Sequence, residues 1–174
     1  MIAKYAIEES IPYLKMSDTL EFALELMEEF KQEHLPVLNG KELVGVVSEQ
    51  QLLEAEGVQT FSELAFPLIK IAINENMHIF DAMKAGAESS SSVLPVVNEK
   101  GIYIGLISPK SLLNKLSEFN FAKELGGIFV LEVAAQDYSL AEIARLVETN
   151  KAAVLSISTA KLFKSDKIQV TVKV

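Results

Sequence analysis

The sequence predicts an α/β (α+β) chain: two tandem β-α-β-β-α units packed as a pseudo-symmetric pair, then a β-α-β-β unit. Three observations carry that prediction. A segment beginning at Ala23 recurs at Ala82, with landmarks that keep their order and spacing. Within each copy, apolar residues at helical spacing alternate with short apolar runs bounded by turn signals. After Gly126-Gly127 the repeat stops and a new strand and helix pattern begins.

The recurrence is specific. Leu35-Pro36-Val37 matches Leu94-Pro95-Val96, and Asn39 matches Asn98 at a spacing of 59 residues. One inserted residue later, Gly45 matches Gly105, Ser48 matches Ser108, and Leu52-Leu53 matches Leu112-Leu113. Upstream, IPYLKM (11–16) resembles FPLIKI (66–71), so Leu14 is set against Ile69. A period of this size marks units that cannot bury their apolar faces alone and must stack on a neighbour.

Each element has a local reason. In the first copy Asp18 and Glu21 form a capping-box pattern, followed by Leu20, Ala23, Leu24 and Met27 on one helical face. Residues 35–38 read as a buried strand, Asn39-Gly40 as a turn and 43–47 as the return strand. Ser48 is placed to cap a helix starting at Glu49. In the second copy Ile79, Ala82, Met83 and Gly86 mark the helix face, and 94–97 and 102–107 the hairpin. Ser108 caps the next helix with Pro109 at its first position, where a missing N–H costs nothing. In the last unit 128–134 reads as a strand. Ser139 and Glu142 cap a helix with Leu140, Ile143, Ala144 and Val147 on one face. Residues 152–158 and 167–174 read as strands. The strict alternation over 167–174 suggests an unpaired edge strand that a second chain covers.

Composition narrows function. The chain has 174 residues, no cysteine, and 24 acidic against 16 basic side chains, a formal charge of -8. Thiol nucleophiles, thiolate metal sites and disulfides are excluded. The acidic balance argues against nucleic acid and anionic membrane surfaces as partners. Apolar stretches break far short of the ~20 residues needed to span a bilayer. Residues 1–13 lack the apolar core of a secretory signal, so a cytoplasmic location is expected.

The two copies resemble CBS domains, and their tandem order resembles a Bateman module. The residues that carry this are the paired Leu-Pro-Val motifs and Gly-x-(Val/Ile)-Ser at Gly45–Ser48 and Gly105–Ser108, each before a helix. The resemblance covers residues 1 to about 122, with repeats at 1–60 and 61–122. It implies a non-catalytic regulatory module, an adenosine nucleotide in the cleft between repeats, and dimers. AMP, ATP and S-adenosylmethionine are the effectors it suggests. Residues 126–174 resemble an ACT domain, carried by 126–133, 138–148 and the paired strands. That fold is β-α-β-β-α-β, so the unit reads as lacking its last helix and strand.

The resemblance also sets a test that the residues meet only in part. Nucleotide-binding CBS repeats end in Gly-x-x-(Thr/Ser)-x-x-Asp. The hydroxyl caps a helix that offers N–H groups to an anion, and the Asp binds ribose hydroxyls. Here Ser48 and Ser108 are kept, while Gln51 and Ser111 stand where the Asp is expected. Losing each carboxylate weakens ribose binding by roughly 1.5–3 kcal/mol, the worth of a hydrogen bond to a charged group. The second site is favoured, because Ser108, Lys110 and Ser111 surround its helix N-terminus, whereas Glu49 repels phosphate at the first. Candidate ligand contacts are therefore Leu14, Ser48, Gln51, Ile69, Ser108, Lys110 and Ser111. The competing reading treats Ser48 and Ser108 as ordinary helix caps.

Other candidates are weaker. His34 and His78 have no ligand-spaced partners, and no metal is expected. The run Ser89–Ser92 reads as a flexible loop, or as a ligand contact. Tyr138 stands where amino-acid-binding ACT domains carry Gly, which argues against an amino-acid effector. No catalytic set is evident. The expectation is a cytoplasmic regulatory protein, a homodimer or higher homo-oligomer acting on a further partner protein. The alternative is a ligand-free structural or oligomerisation module with degenerate CBS sites.

Overall fold

The strand registers of the two repeats coincide. The computed structural model describes residues 1–174 except 56, 65 and 66. In the first repeat β1 (Leu14–Lys15), β2 (His34–Asn39) and β3 (Glu42–Ser48) form a sheet in that order, parallel then antiparallel. In the second, β4 (Ile73–Asn74), β5 (Leu94–Val97) and β6 (Tyr103–Ile107) repeat the pattern. Leu14 lies opposite Val37, and Ile73 opposite Val96. The counterpart of Leu14 is thus Ile73, at the same 59-residue spacing as the Leu-Pro-Val motifs, and not Ile69. The likeness of 11–16 to 66–71 is one of composition. Pairing with β2 and β5 decides the register, because a shift would turn buried side chains outward. Phe66, where that segment starts, lies outside the described residues.

The helices are α1 (Leu20–Phe30), α2 (Glu49–Leu53), α3 (Ile79–Glu88) and α4 (Pro109–Phe119). Thr19, not Asp18, caps α1: its Oγ1 accepts from the Phe22 N–H at 3.1 Å. The Asp18 carboxylate is already engaged, accepting from the Lys15 N–H at 2.8 Å and holding the preceding turn. His78 takes the equivalent place in the second repeat, its Nδ1 accepting from the Phe80 N–H at 3.3 Å. The buried faces of α1 and α3 are led by Leu20, Ala23 and Met27, and by Ile79 and Ala82.

Packing crosses the division between the repeats at residue 60. Ala3 and Ala6 are buried with Ile79, Leu94, Val96 and Ile107 of the second repeat. The N–H groups of Ala3 and Glu8 donate to Met77 and Leu106 carbonyls, both at 2.8 Å. Reciprocally, Phe61 and Leu68 are buried with Leu14, Met27, Leu35 and Val46 of the first. Val46 and Ile69 exchange backbone bonds of 2.9 and 2.8 Å. Each core is therefore completed by the segment that leads into the other repeat. The glycines of the Gly-x-x-Ser motifs are where these segments cross. A Cβ on Gly45 would stand 2.7 Å from Leu68 Cβ, and one on Gly105 (φ +145°) 2.5 Å from Ile7 Cγ2.

The chain divides into two compact units, Met1–Lys115 and Leu116–Val174. The second contains β7 (Ile128–Ala134), α5 (Leu140–Thr149), β8 (Ser156–Lys161) and β9 (Lys167–Lys173), the predicted β-α-β-β order. Ser139 caps α5, accepting from the Glu142 N–H at 3.3 Å. The sheet order is β7-β9-β8, antiparallel throughout. The strictly alternating strand β9 is therefore central, not an edge as its pattern suggested. Its alternation arises because Val170 and Val172 are buried on one face while its backbone pairs on both sides. The free edges are those of β7 and β8. β8 also starts later than residue 152, because the Ala152 N–H still bonds back to the Val147 carbonyl at the end of α5. Among the described residues, no helix is long and apolar enough to cross a membrane.

Candidate functional site

The two Gly-x-x-Ser motifs end in different local chemistry. At Ser48 the capping box is closed in both directions. Ser48 Oγ accepts from the Gln51 N–H at 3.1 Å, and Gln51 Oε1 accepts from the Ser48 N–H at 3.1 Å. The other end of that amide donates to the Pro67 carbonyl at 3.3 Å. The Glu49 N–H is taken by the Glu33 carbonyl at 2.9 Å. Gln51 is thus occupied in holding the fold, and the expected amide contact to a ribose would break its cap. The helix that follows is only five residues long, too short to hold an anion at its N-terminus.

At Ser108 the chain brings in a distant partner. Ser108 Oγ accepts from the Ser111 N–H at 3.0 Å and donates to Glu8 Oε2. Ser111 Oγ accepts from the Ser108 N–H at 3.0 Å and donates to the Ser108 carbonyl at 3.1 Å. The second Glu8 oxygen, Oε1, accepts from Ser10 Oγ at 2.9 Å. Ser108 is 4% exposed and Glu8 is half-buried, so this hydroxyl–carboxylate contact is partly screened from water.

Two neighbouring recesses lie around it. A polar recess of about 640 Å³ is lined by Glu8, Ser10, Glu33, Ser92, Ser108 and Lys110, among others. An apolar recess of about 380 Å³ is lined by Met83, Leu94, Ile107 and Leu112. The two share Ser92, Ser108 and Pro109. Both repeats supply walls, since Phe30 and Glu33 come from the first. The run Ser89–Ser92, which reads as flexible in sequence, is a self-bonded turn. Ser91 Oγ donates to the Val93 carbonyl at 2.7 Å, and the Ser91 N–H donates to Ser89 Oγ at 2.9 Å.

His34 fixes one wall. Its Nδ1 lies 3.0 Å from Ser92 Oγ and accepts from the Ser92 N–H at 3.3 Å. Burial holds its pKa below the ordinary value of 6.5, against the pull of Glu33, which raises it. The neutral ring is the form that accepts at Nδ1.

Of the predicted contacts, Ser108 and Lys110 line the cleft, and Ser111 completes the cap at its edge. Leu14, Ser48, Gln51 and Ile69 do not line either recess. Leu14 is fully buried in the first-repeat core. Ile69 is spent on backbone pairing with Val46. Glu8 and Ser10 went unseen in the sequence, because nothing local links them to a helix one hundred residues away. Among the described residues, no group of three His, Cys, Asp or Glu side chains could hold a metal ion.

Comparisons with known proteins place the two repeats among CBS domains. The CBS domain family model matches residues 4–57 and 68–118. Inosine-5'-monophosphate dehydrogenase of Korarchaeum cryptofilum is 31% identical over 100 residues. That match covers 58% of this chain and 21% of that protein, so the chain spans about a fifth of its curated relative. A CBS domain pair/ACT domain protein from Thermotoga maritima is similar in structure, with TM-score 0.58 and 24% identity, over 68% of this chain and 98% of that one. CBSX2 from Arabidopsis thaliana, in a crystal structure in complex with AMP, gives TM-score 0.58 and 24% identity, over 67% and 96%.

Proposed function

Because the chain belongs to the CBS domain family over residues 4–57 and 68–118, we propose that it is a regulatory module, not an enzyme. In this reading an adenosine-class effector enters the cleft between its repeats. The observation that carries it is that an apolar recess and a neighbouring one with charged and polar groups share Ser92, Ser108 and Pro109 in their walls. A purine base needs an apolar slot with few polar groups at one end, and these volumes fall in the range of small-molecule pockets. The structure of CBSX2 with AMP supports the ligand class. AMP, ATP and S-adenosylmethionine are the first effectors to try, beside adenosine itself. The ACT-like unit would pass a change in repeat packing to a partner protein in the cytoplasm. The size of that change is limited by the ligand's preference for one packing over the other.

The test is calorimetric titration and thermal shift with these four compounds. Ligand at one hundred times its Kd should stabilise the fold by about 2.7 kcal/mol. No stabilisation by any of them at millimolar concentration would remove the adenosine reading.

A second reading is supported by the two closed caps. If Ser48, Gln51, Ser108 and Ser111 serve only their helices, the chain is a ligand-free module for self-association. The surface for it is β7, an edge strand that exposes Ile128 and Val130 at 63% and 54%. A second copy pairing along β7 would extend the sheet, satisfy its free backbone groups and set side chains of the two copies beside Ile128 and Val130. Association through β7 is compatible with either reading.

A further inference from the structure

The cleft carries its own anion, and this bears on which adenosine compound it accepts. The inference rests on the adenosine reading above. In the family pattern the hydroxyl at Ser108 and the helix N-terminus behind it face the ligand's phosphate. Here that position is filled from within the chain. Both oxygens of Glu8 are engaged, one by Ser108 and one by Ser10 at 2.9 Å.

The helix has little left to offer. Pro109 has no N–H. The Ser111 N–H is taken by Ser108 Oγ, and the Leu112 N–H by the Ser108 carbonyl at 2.9 Å. Of the first turn, only the Lys110 N–H has no partner among the described residues, where an uncapped helix presents several. Glu33 adds a second carboxylate to the same recess, and Lys31 and Lys110 are the cations that line it. Those two are long, solvent-reaching side chains, whereas Glu8 is held at its backbone. Its N–H donates to the Leu106 carbonyl at 2.8 Å, and the adjoining Ile7 packs on Gly105. The backbone anchor sets where the side chain starts, and the hydroxyls of Ser108 and Ser10 hold its carboxylate at the recess.

We propose that Glu8 is a specificity-determining residue. It occupies the anion position at the start of α4, so the cleft selects an adenosine compound with no phosphate there, the free nucleoside or a cationic derivative, over AMP. A phosphate placed beside this carboxylate meets like charge, or must break its bonds to Ser108 and Ser10 to displace it, and either disfavours it. An uncharged ribose hydroxyl can instead donate to Glu8.

The experiment measures adenosine and AMP affinities of the wild-type chain and of Glu8→Gln by calorimetry. The glutamine keeps the shape and removes the charge. The wild type should bind adenosine at least tenfold more tightly than AMP. Glu8→Gln should narrow that ratio at least tenfold through a gain for AMP. Wild-type AMP binding equal to or tighter than adenosine binding would overturn the inference while leaving the adenosine reading intact, as would an unchanged ratio in the variant. Absence of binding by either compound to either protein would overturn the inference; the adenosine reading falls with it only if ATP and S-adenosylmethionine also fail to bind. The wild-type ratio requires no variant to fold, so the inference stays open to refutation even if Glu8→Gln is unstable.

Discussion

His34 of the first repeat and Ser92 of the second meet through one ring nitrogen, Nδ1, 3.0 Å from the hydroxyl and 3.3 Å from the backbone N of Ser92. The bond requires the neutral ring, and burial keeps the folded pKa below 6.5. The unfolded chain therefore takes up the proton first as pH falls. Stability from this site is full above about pH 6.5 and declines below it, toward the folded pKa. Urea midpoints measured from pH 7.5 to 5 should fall for the wild type across that window. In His34→Gln the fall should be shallower. An identical slope in both would assign the acid sensitivity elsewhere.

Gly105→Ala should destabilise the chain more than Gly101→Ala, because both glycines have positive φ but only at 105 does the added Cβ meet a neighbour. The added methyl meets Ile7 at a φ that side chains rarely adopt. Strain of this kind costs roughly 1–3 kcal/mol. The readout is the denaturant midpoint, with the crossing segment of residues 1–8 becoming more open to proteolysis.

Leu14→Ala should act on folding and not on ligand specificity. The side chain is fully buried among Leu35, Val37 and Val46, where such truncation costs about 2–5 kcal/mol. Equilibrium unfolding measures the loss. The ratio of adenosine to AMP affinity in the folded fraction should match the wild type.

Ser111→Asp should strengthen adenosine binding. It places a carboxylate one helical turn into α4, where the family's ribose-binding Asp is expected. The gain should be about tenfold to one hundredfold, the effect of a hydrogen bond to a charged group. Calorimetry decides it. Unchanged affinity would mean that the ribose does not lie at this end of the cleft.

Val130→Lys should shift the chain toward monomer without unfolding it. Val130 sits on the free strand β7 and is 54% exposed, and an edge lysine opposes pairing with a second chain. Light scattering on both proteins gives the mass. A wild type that is monomeric at working concentration would end the proposal of association through β7.

Much of the fold was legible because its signals are local. The spacing of Leu35-Pro36-Val37 and Leu94-Pro95-Val96 located both sheets, and Ser48, Ser108 and Ser139 each cap the helix predicted for them. Errors arose where two local signals compete. Asp18 and Thr19 are both good caps, and only the turn at Lys15 decides between them. The pattern of 167–174 fixes which side chains are buried, but strand order depends on pairing that alternation does not encode. The site was least legible. Ser108 and Lys110 could be named from the motif, whereas Glu8 and Ser10 reach it only because the first residues cross to the far repeat.

That crossing makes the two repeats mutually dependent. Ala3 and Ala6 belong to a core built from residues 73–107, and Phe61 and Leu68 to one built mainly from residues 11–52, joined by Val93 and Leu106 of the second repeat. Neither half, released alone, would retain its own leader against its own core. The repeat is a unit of sequence, but the unit of folding is the pair, closed by contacts such as Glu8 to Ser108 that span almost the whole of it. Such long loops slow assembly, and loss of either leader would be felt on the opposite side of the cleft.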